Sequence, residues 1–168
     1  LPTPLIEPHL QLKPLIEEPM VLVGPVRSGF DPARPVSLEQ VAKLPLILSR
    51  RPNSARIIVE HALEAIGLVP SVVVETNSTL VDELVSRGVA YSGLPSCYVA
   101  GLRNDLEYTP IRGLWISWNI ARLRALPLAP AAQHMVSLIR ELAGKRNDWP
   151  LWADRKLRQS LRPKPRGR

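Results

Sequence analysis

The chain has little of what specific chemistry requires. Among 168 residues there is one cysteine, Cys97, so an internal disulfide is excluded and no CxxC or other metal-ligand spacing exists. A single thiol fits a reducing compartment and reads as a small, half-buried filler. Aromatic residues make up only 5%, so any core must be aliphatic; the 45% hydrophobic content makes one feasible. No stretch approaches the ~18 apolar residues of a membrane span, and residues 1–5 lack the basic start and apolar run of a signal peptide. Phosphate-cradling GxxxxGK and GxGxxG loops are missing. His9, His61 and His134 lie far apart, with no acid or nucleophile at a motif spacing. The expectation is a protein that is not an enzyme and carries no cofactor and no metal.

What is present begins with charge. The net charge is +7, but it is not spread evenly. Of the 22 Lys and Arg, nine lie in residues 144–168 with two of the 15 acids, which leaves thirteen of each in the rest. The body is therefore neutral and is not expected to be a nucleic-acid platform. The tail is expected to be flexible, and to touch nucleic acid only weakly and through charge.

The chain is organised around residues 46–96. Leu46–Leu48 is a short apolar run ending in Ser49, Arg50, Arg51, Pro52, Asn53 and Ser54. Asn53 or Ser54 can cap a helix whose apolar positions are Ile58, Val59, Ala62, Leu63 and Ile66, with Gly67 as its stop. Residues 71–75 (SVVVE) are β-branched and strand-like. Thr76, Asn77, Ser78 and Thr79 can cap a second helix bearing Leu80, Val81, Leu84 and Val85, and a third strand is predicted over 89–92. Alternating strands and helices with short links predict parallel β-α-β units. Ligands in such sheets bind beyond the carboxyl ends of the strands, where helix N-termini favour anions. Three polar clusters meet there, at 49–54, 76–79 and 93–96; they are either a binding crevice or ordinary caps and turns. The Arg50–Arg51 pair is likewise either solvated or an anion contact.

Outside this stretch, residues 1–14 carry four prolines and read as an extended loop. A strand is predicted over 15–24, a short helix capped by Ser37 over 37–44, and a short helix or turn over 98–102. Two strands are expected, over 106–111 and 114–121. The strongest late helix covers 129–143, with Ala132, Met135, Val136, Leu138, Ile139 and Leu142 as its buried side.

Four segments resemble, in order and spacing, the effector-binding region of LysR-type transcriptional regulators. They are EEPMVLVGP (17–25), VSLEQVAKLPLILSRRPNSARIIVEHAL (36–63), GLVPSVVVETNSTLVDELVSRGVAYSGLPSCYV (67–99) and LPLAPAAQHMVSLIREL (126–142). The resemblance implies an α/β fold, periplasmic-binding-protein-like (type 2), with a small effector held between two subdomains. It also implies a cytoplasmic homo-oligomer in the intact protein, with no membrane and with DNA contacted through a helix-turn-helix not found here. One subdomain is expected to be nearly complete and the other fragmentary, and the opening Leu1 suggests that residues precede it. The expected division is 1–24 as loop and crossover strand of subdomain I, 25–118 as subdomain II, 119–143 as return strand and terminal helix, and 144–168 as tail. The terminal helix would normally pack on subdomain I, so its apolar side is expected to be open.

The resemblance places Ser49, Arg50, Asn53, Asn77, Ser78 and Pro95 at the effector cleft, and the crevice geometry adds Arg51, Ser54, Thr79 and Leu94. Helix N-termini and an arginine favour a small carboxylate. Two other readings stand beside this one: a periplasmic-type solute-binding lobe, and an interaction fragment of a regulator gene without function of its own.

Overall fold

Apolar residues run unbroken from 20 to 23, and a strand with such a run must be covered on both faces. In the computed structural model, which describes residues 8–77, 80–101 and 104–145, Met20, Val21, Leu22 and Val23 are all fully buried. They lie in β1 (Leu10–Pro25). Alternate side chains point to opposite faces. Met20 and Leu22 join Val41, Leu46, Leu48, Ile58, Val59, Leu63, Ile111, Leu114 and Ile116 in one cluster, under helices α1 (Leu38–Ala42) and α2 (Ser54–Glu64). Val21 and Val23 join Ile47, Val81, Val85, Ala90, Leu94 and Leu106 in the other, against α3 (Val81–Ser86).

β2 (Pro45–Ser49) and β3 (Ser71–Thr76) pair in parallel, as a strand–helix–strand unit should. The third strand differs from expectation. Only Tyr91 pairs in parallel, with Leu46, through the Ile47 and Tyr91 N–H groups. The chain then becomes β4 (Ser92–Pro95), antiparallel to Met20–Val23 of β1, because that side of the most buried strand needs a partner. A 3₁₀ helix (Ser96–Gly101) follows.

Two further expectations are corrected. The loop predicted over 1–14 is strand from Leu10 onward, and the two strands predicted over 106–121 are one, β5 (Leu106–Leu123), paired antiparallel with β1 from Leu10–Leu123 to Pro25–Leu106. Prolines are tolerated because the register shifts beside Pro14 and Pro19, and bulges and edges are where a missing N–H costs least. The break at 111–114 is a bulge, with Gly113 at φ +74°, a conformation glycine adopts without strain. Residues 10–17 and 117–123 thus form a two-stranded ribbon leaving the body.

The last helix, α4 (Pro130–Gly144), has no buried residue. Its expected buried side is open: Met135, Leu138, Ile139 and Leu142 are all exposed, and only Ala132 and Val136 are half-buried. The cause is the support, since α4 rests on the narrow ribbon rather than on a full sheet. Residues 146–168, most of the expected tail, lie outside the described residues, as do Ser78 and Thr79. No helix among the described residues is long and apolar enough to cross a membrane.

Candidate functional site

Ser49 ends β2, and the chain turns into α2 through Asn53, whose Oδ1 accepts the Arg56 N–H at 3.1 Å. That cap settles which of Asn53 and Ser54 starts the helix. The N–H groups of Ser54 and Ala55 have no partner among the described residues, as expected for a first helical turn. Both residues face a cleft of about 270 Å³. One wall is Ser49, Asn53, Ser54, Ala55 and Ile58; the second is Leu94, Pro95 and Tyr98; the third is Ile116, Ser117, Trp118 and Asn119 of β5.

Of the residues singled out in the sequence, the cleft brings together Ser49, Asn53, Ser54, Leu94 and Pro95. It does not include Arg50, Arg51 or Asn77. The Arg50 side chain is on the surface while its N–H bonds the Thr76 carbonyl. Arg51 turns to Glu60, Nη2 to Oε2 at 2.8 Å. Asn77 is exposed, and Ser78 and Thr79 fall outside the described residues.

Behind the first wall is a buried cation that the sequence reading passed over. Arg56 donates Nε to Glu60 Oε1 at 2.8 Å and Nη1 to the Ser49 carbonyl at 3.1 Å. Its Nη2 reaches Glu75 Oε1 at 2.7 Å. The hydrogen bond that Arg56 donates to Glu75, and then the one to Glu60, raise the Arg56 pKa further, and Arg56 in turn holds the Glu75 carboxyl below its ordinary range. One guanidinium thus ties α2, β2 and β3 together and sets Ser49 at the cleft. The signal available in the sequence was the i, i+4 spacing of Arg56 and Glu60.

The other two walls share a second anchor, Glu18, fully buried in β1. Its Oε2 accepts Ser96 Oγ at 2.7 Å and the Cys97 N–H at 2.6 Å, and its Oε1 accepts the Trp118 indole N–H. A buried carboxylate needs such donors. Glu18 therefore locks the turn after β4 against β5. The Trp118 ring lines the cleft and also a second hollow of about 380 Å³ that reaches Ile139 and Leu142 of α4.

The lining holds hydroxyls, amides and apolar groups, with no carboxylate, imidazole, thiol or cation among the lining residues. Such a surface can hold and orient a small molecule. No group of His, Cys, Asp or Glu among the described residues could hold a metal ion.

Comparison with known proteins agrees with this architecture. The regulatory domain of CcmR from Synechocystis PCC6803, solved with 2-PG, superposes with a TM-score of 0.71 at 15% identity, covering 82% of this chain and 68% of that one. The effector binding domain of QuiR, solved with shikimate, gives 0.68 at 17% identity, covering 84% and 69%. HinK, a LysR family transcriptional regulator from Pseudomonas aeruginosa, gives 0.69 at 21%, covering 86% of this chain and 53% of that one. The chain thus spans about half the length of that regulator. No curated protein matches the chain in sequence. The fold is the α/β, type 2 periplasmic-binding-protein-like one, present as a partial domain. Residues 2–144 match the family model described as LysR substrate binding domain, and the chain belongs to that family.

Proposed function

We propose that the cleft between α2, β4 and β5 binds a small polar metabolite, with a carboxylate favoured, and that occupancy is reported to a DNA-binding portion of an intact, oligomeric, cytoplasmic regulator. The observation that carries this is the pair of unpartnered N–H groups, Ser54 and Ala55, at the N-terminus of α2 on the cleft. A helix N-terminus contributes roughly 0.3–1 kcal/mol toward an anion. Ser49, Asn53 and Ser54 supply further hydrogen-bonding groups, and Leu94 and Pro95 supply an apolar wall. The favoured carboxylate rests on these neutral donors, since Arg51 is engaged by Glu60. That QuiR was solved with shikimate and CcmR with 2-PG supports a ligand-sensing reading. The role is binding rather than catalysis. Residues 25–118 would form the sensing subdomain, with 1–24 and 119–143 belonging to the opposite one.

The test is a ¹⁵N NMR titration with benzoate and with shikimate. Binding should shift the Ser54, Ala55 and Asn119 amides together. Ser54→Trp, a change at an exposed position, should fill the cleft and abolish those shifts without lowering stability. Shifts elsewhere, or shifts that survive Ser54→Trp, would mean that the cleft is not the ligand site.

A further inference from the structure

The neutral body conceals a segregated charge. Residues 8–16 and 118–140 together hold Lys13, Arg122, Arg124 and Arg140 and no Asp or Glu. Three of these four cations line a single pocket of about 250 Å³ between the ribbon and α4.

The backbone explains why they meet. Lys13 pairs with Ile120 and Gln11 with Arg122, and residues two apart on a strand share a face, so Lys13 and Arg122 stand side by side. On α4, Gln133, Val136, Ser137 and Arg140 recur at helical spacing along one stripe, and that stripe closes the pocket. Several cations elsewhere are ion-paired: Arg34 with Asp31, Arg51 and Arg56 with Glu60, Arg87 with Glu83, and Lys145 with Glu141. Lys13, Arg122 and Arg140 have no ion-pair partner among the described residues. Arg122 is held through Nε by Gln11 Oε1 at 2.5 Å, which orients its two Nη groups without neutralising them. Like charges on neighbouring diagonal positions of one face repel, and an anion bound between them would relieve that repulsion. Ile120, Leu128 and Val136 add apolar walls.

We propose that this pocket is a second ligand site, separate from the cleft, for a small organic phosphate. Three cations match a dianion better than a single carboxylate, charge-assisted contacts being the strong ones. The apolar walls fit a compact carbon body on the phosphate, and the concave shape fits a small molecule rather than a polyanion.

Phenyl phosphate and inorganic phosphate serve as probes, titrated into the 168-residue chain against chloride at matched ionic strength. Phenyl phosphate should saturate and shift the Arg122 Nε–H together with the Ser137 and Arg140 amides. Inorganic phosphate should bind the same place more weakly, for want of the apolar contacts. Arg140→Gln and Lys13→Gln, both at exposed positions, should each weaken binding about tenfold. Ser54→Trp should leave it unchanged, which separates this site from the cleft and its reading. Equal shifts with chloride, affinity unchanged in both charge variants, or shifts at Ser54 and Ala55 would each overturn the proposal.

Discussion

The inner and outer halves of the β1–β5 pair are made from the same two strands, yet they differ in everything except their ladder. From Met20 to Val23 every side chain is fully buried, because helices lie on both faces and β4 supplies a second neighbour. From Leu10 to Glu17 no side chain is fully buried, and across the ladder Trp118 and Leu123 are more than two-fifths exposed. Pairing alone satisfies the backbone; only added layers remove side chains from water. The outer half has α4 against it, and α4 brings no buried residue to it.

The largest effect should separate the two halves directly. Leu22→Ala removes a fully buried side chain and should cost about 2–5 kcal/mol. Leu142→Ala, at a position 66% exposed, should stay within about 0.5 kcal/mol. Urea unfolding midpoints measure both, and comparable losses would erase the distinction.

The boundary between the halves offers the next test. Glu18 receives three donors on two oxygens. Glu18→Gln keeps the shape but turns an NH₂ toward either the Cys97 N–H or the Trp118 indole, neither of which can accept. A loss of about 1–3 kcal/mol is expected, with a displaced Trp118 indole N–H resonance in NMR spectra. Unaltered stability and an unmoved resonance would show that Glu18 does not lock these walls.

The smallest effect belongs to Glu75, at the surface end of the Arg56 network. Its folded pKa is depressed, first by the Arg56 hydrogen bond. Its contribution to stability is therefore present above the ordinary carboxylate pKa and is lost as pH falls through the depressed value. Solvent screening keeps that contribution small. Carboxyl ¹³C titration should place Glu75 below ordinary glutamate, and Arg56→Met should return it there. An ordinary midpoint in the parent chain would break the assignment.

Local signals read well from the sequence, and non-local ones did not. Ser37 and Asn53 cap their helices through the side-chain bonds their residue types suggest, and β2, α2 and β3 follow the hydrophobic period. The errors arose where a partner far along the chain decides. Leu10–Pro14 looks like a loop until β5 pairs with it, more than a hundred residues later. Residues 92–95 leave the parallel arrangement because β1 competes for them. At the candidate site, residues at strand ends and the α2 cap could be named. Tyr98, Ser117 and Asn119 could not, since no short-range pattern marks a strand residue as facing a cleft. Arg51, expected beside the crevice, turns for a similar reason to Glu60, two turns into α2.

The long separation between β1 and its partners has a consequence for synthesis. Met20 pairs with Pro95 and Val21 with Pro110, so the most apolar strand of the chain emerges 75 and 89 residues before the segments that flank it. At roughly 5–20 residues per second, that strand waits on the order of 5–20 s with both edges open. The β2–α2–β3 unit, closed by short-range contacts, can assemble in the meantime. The β1 strand must be shielded by something other than its native neighbours until the last third of the domain has left the ribosome.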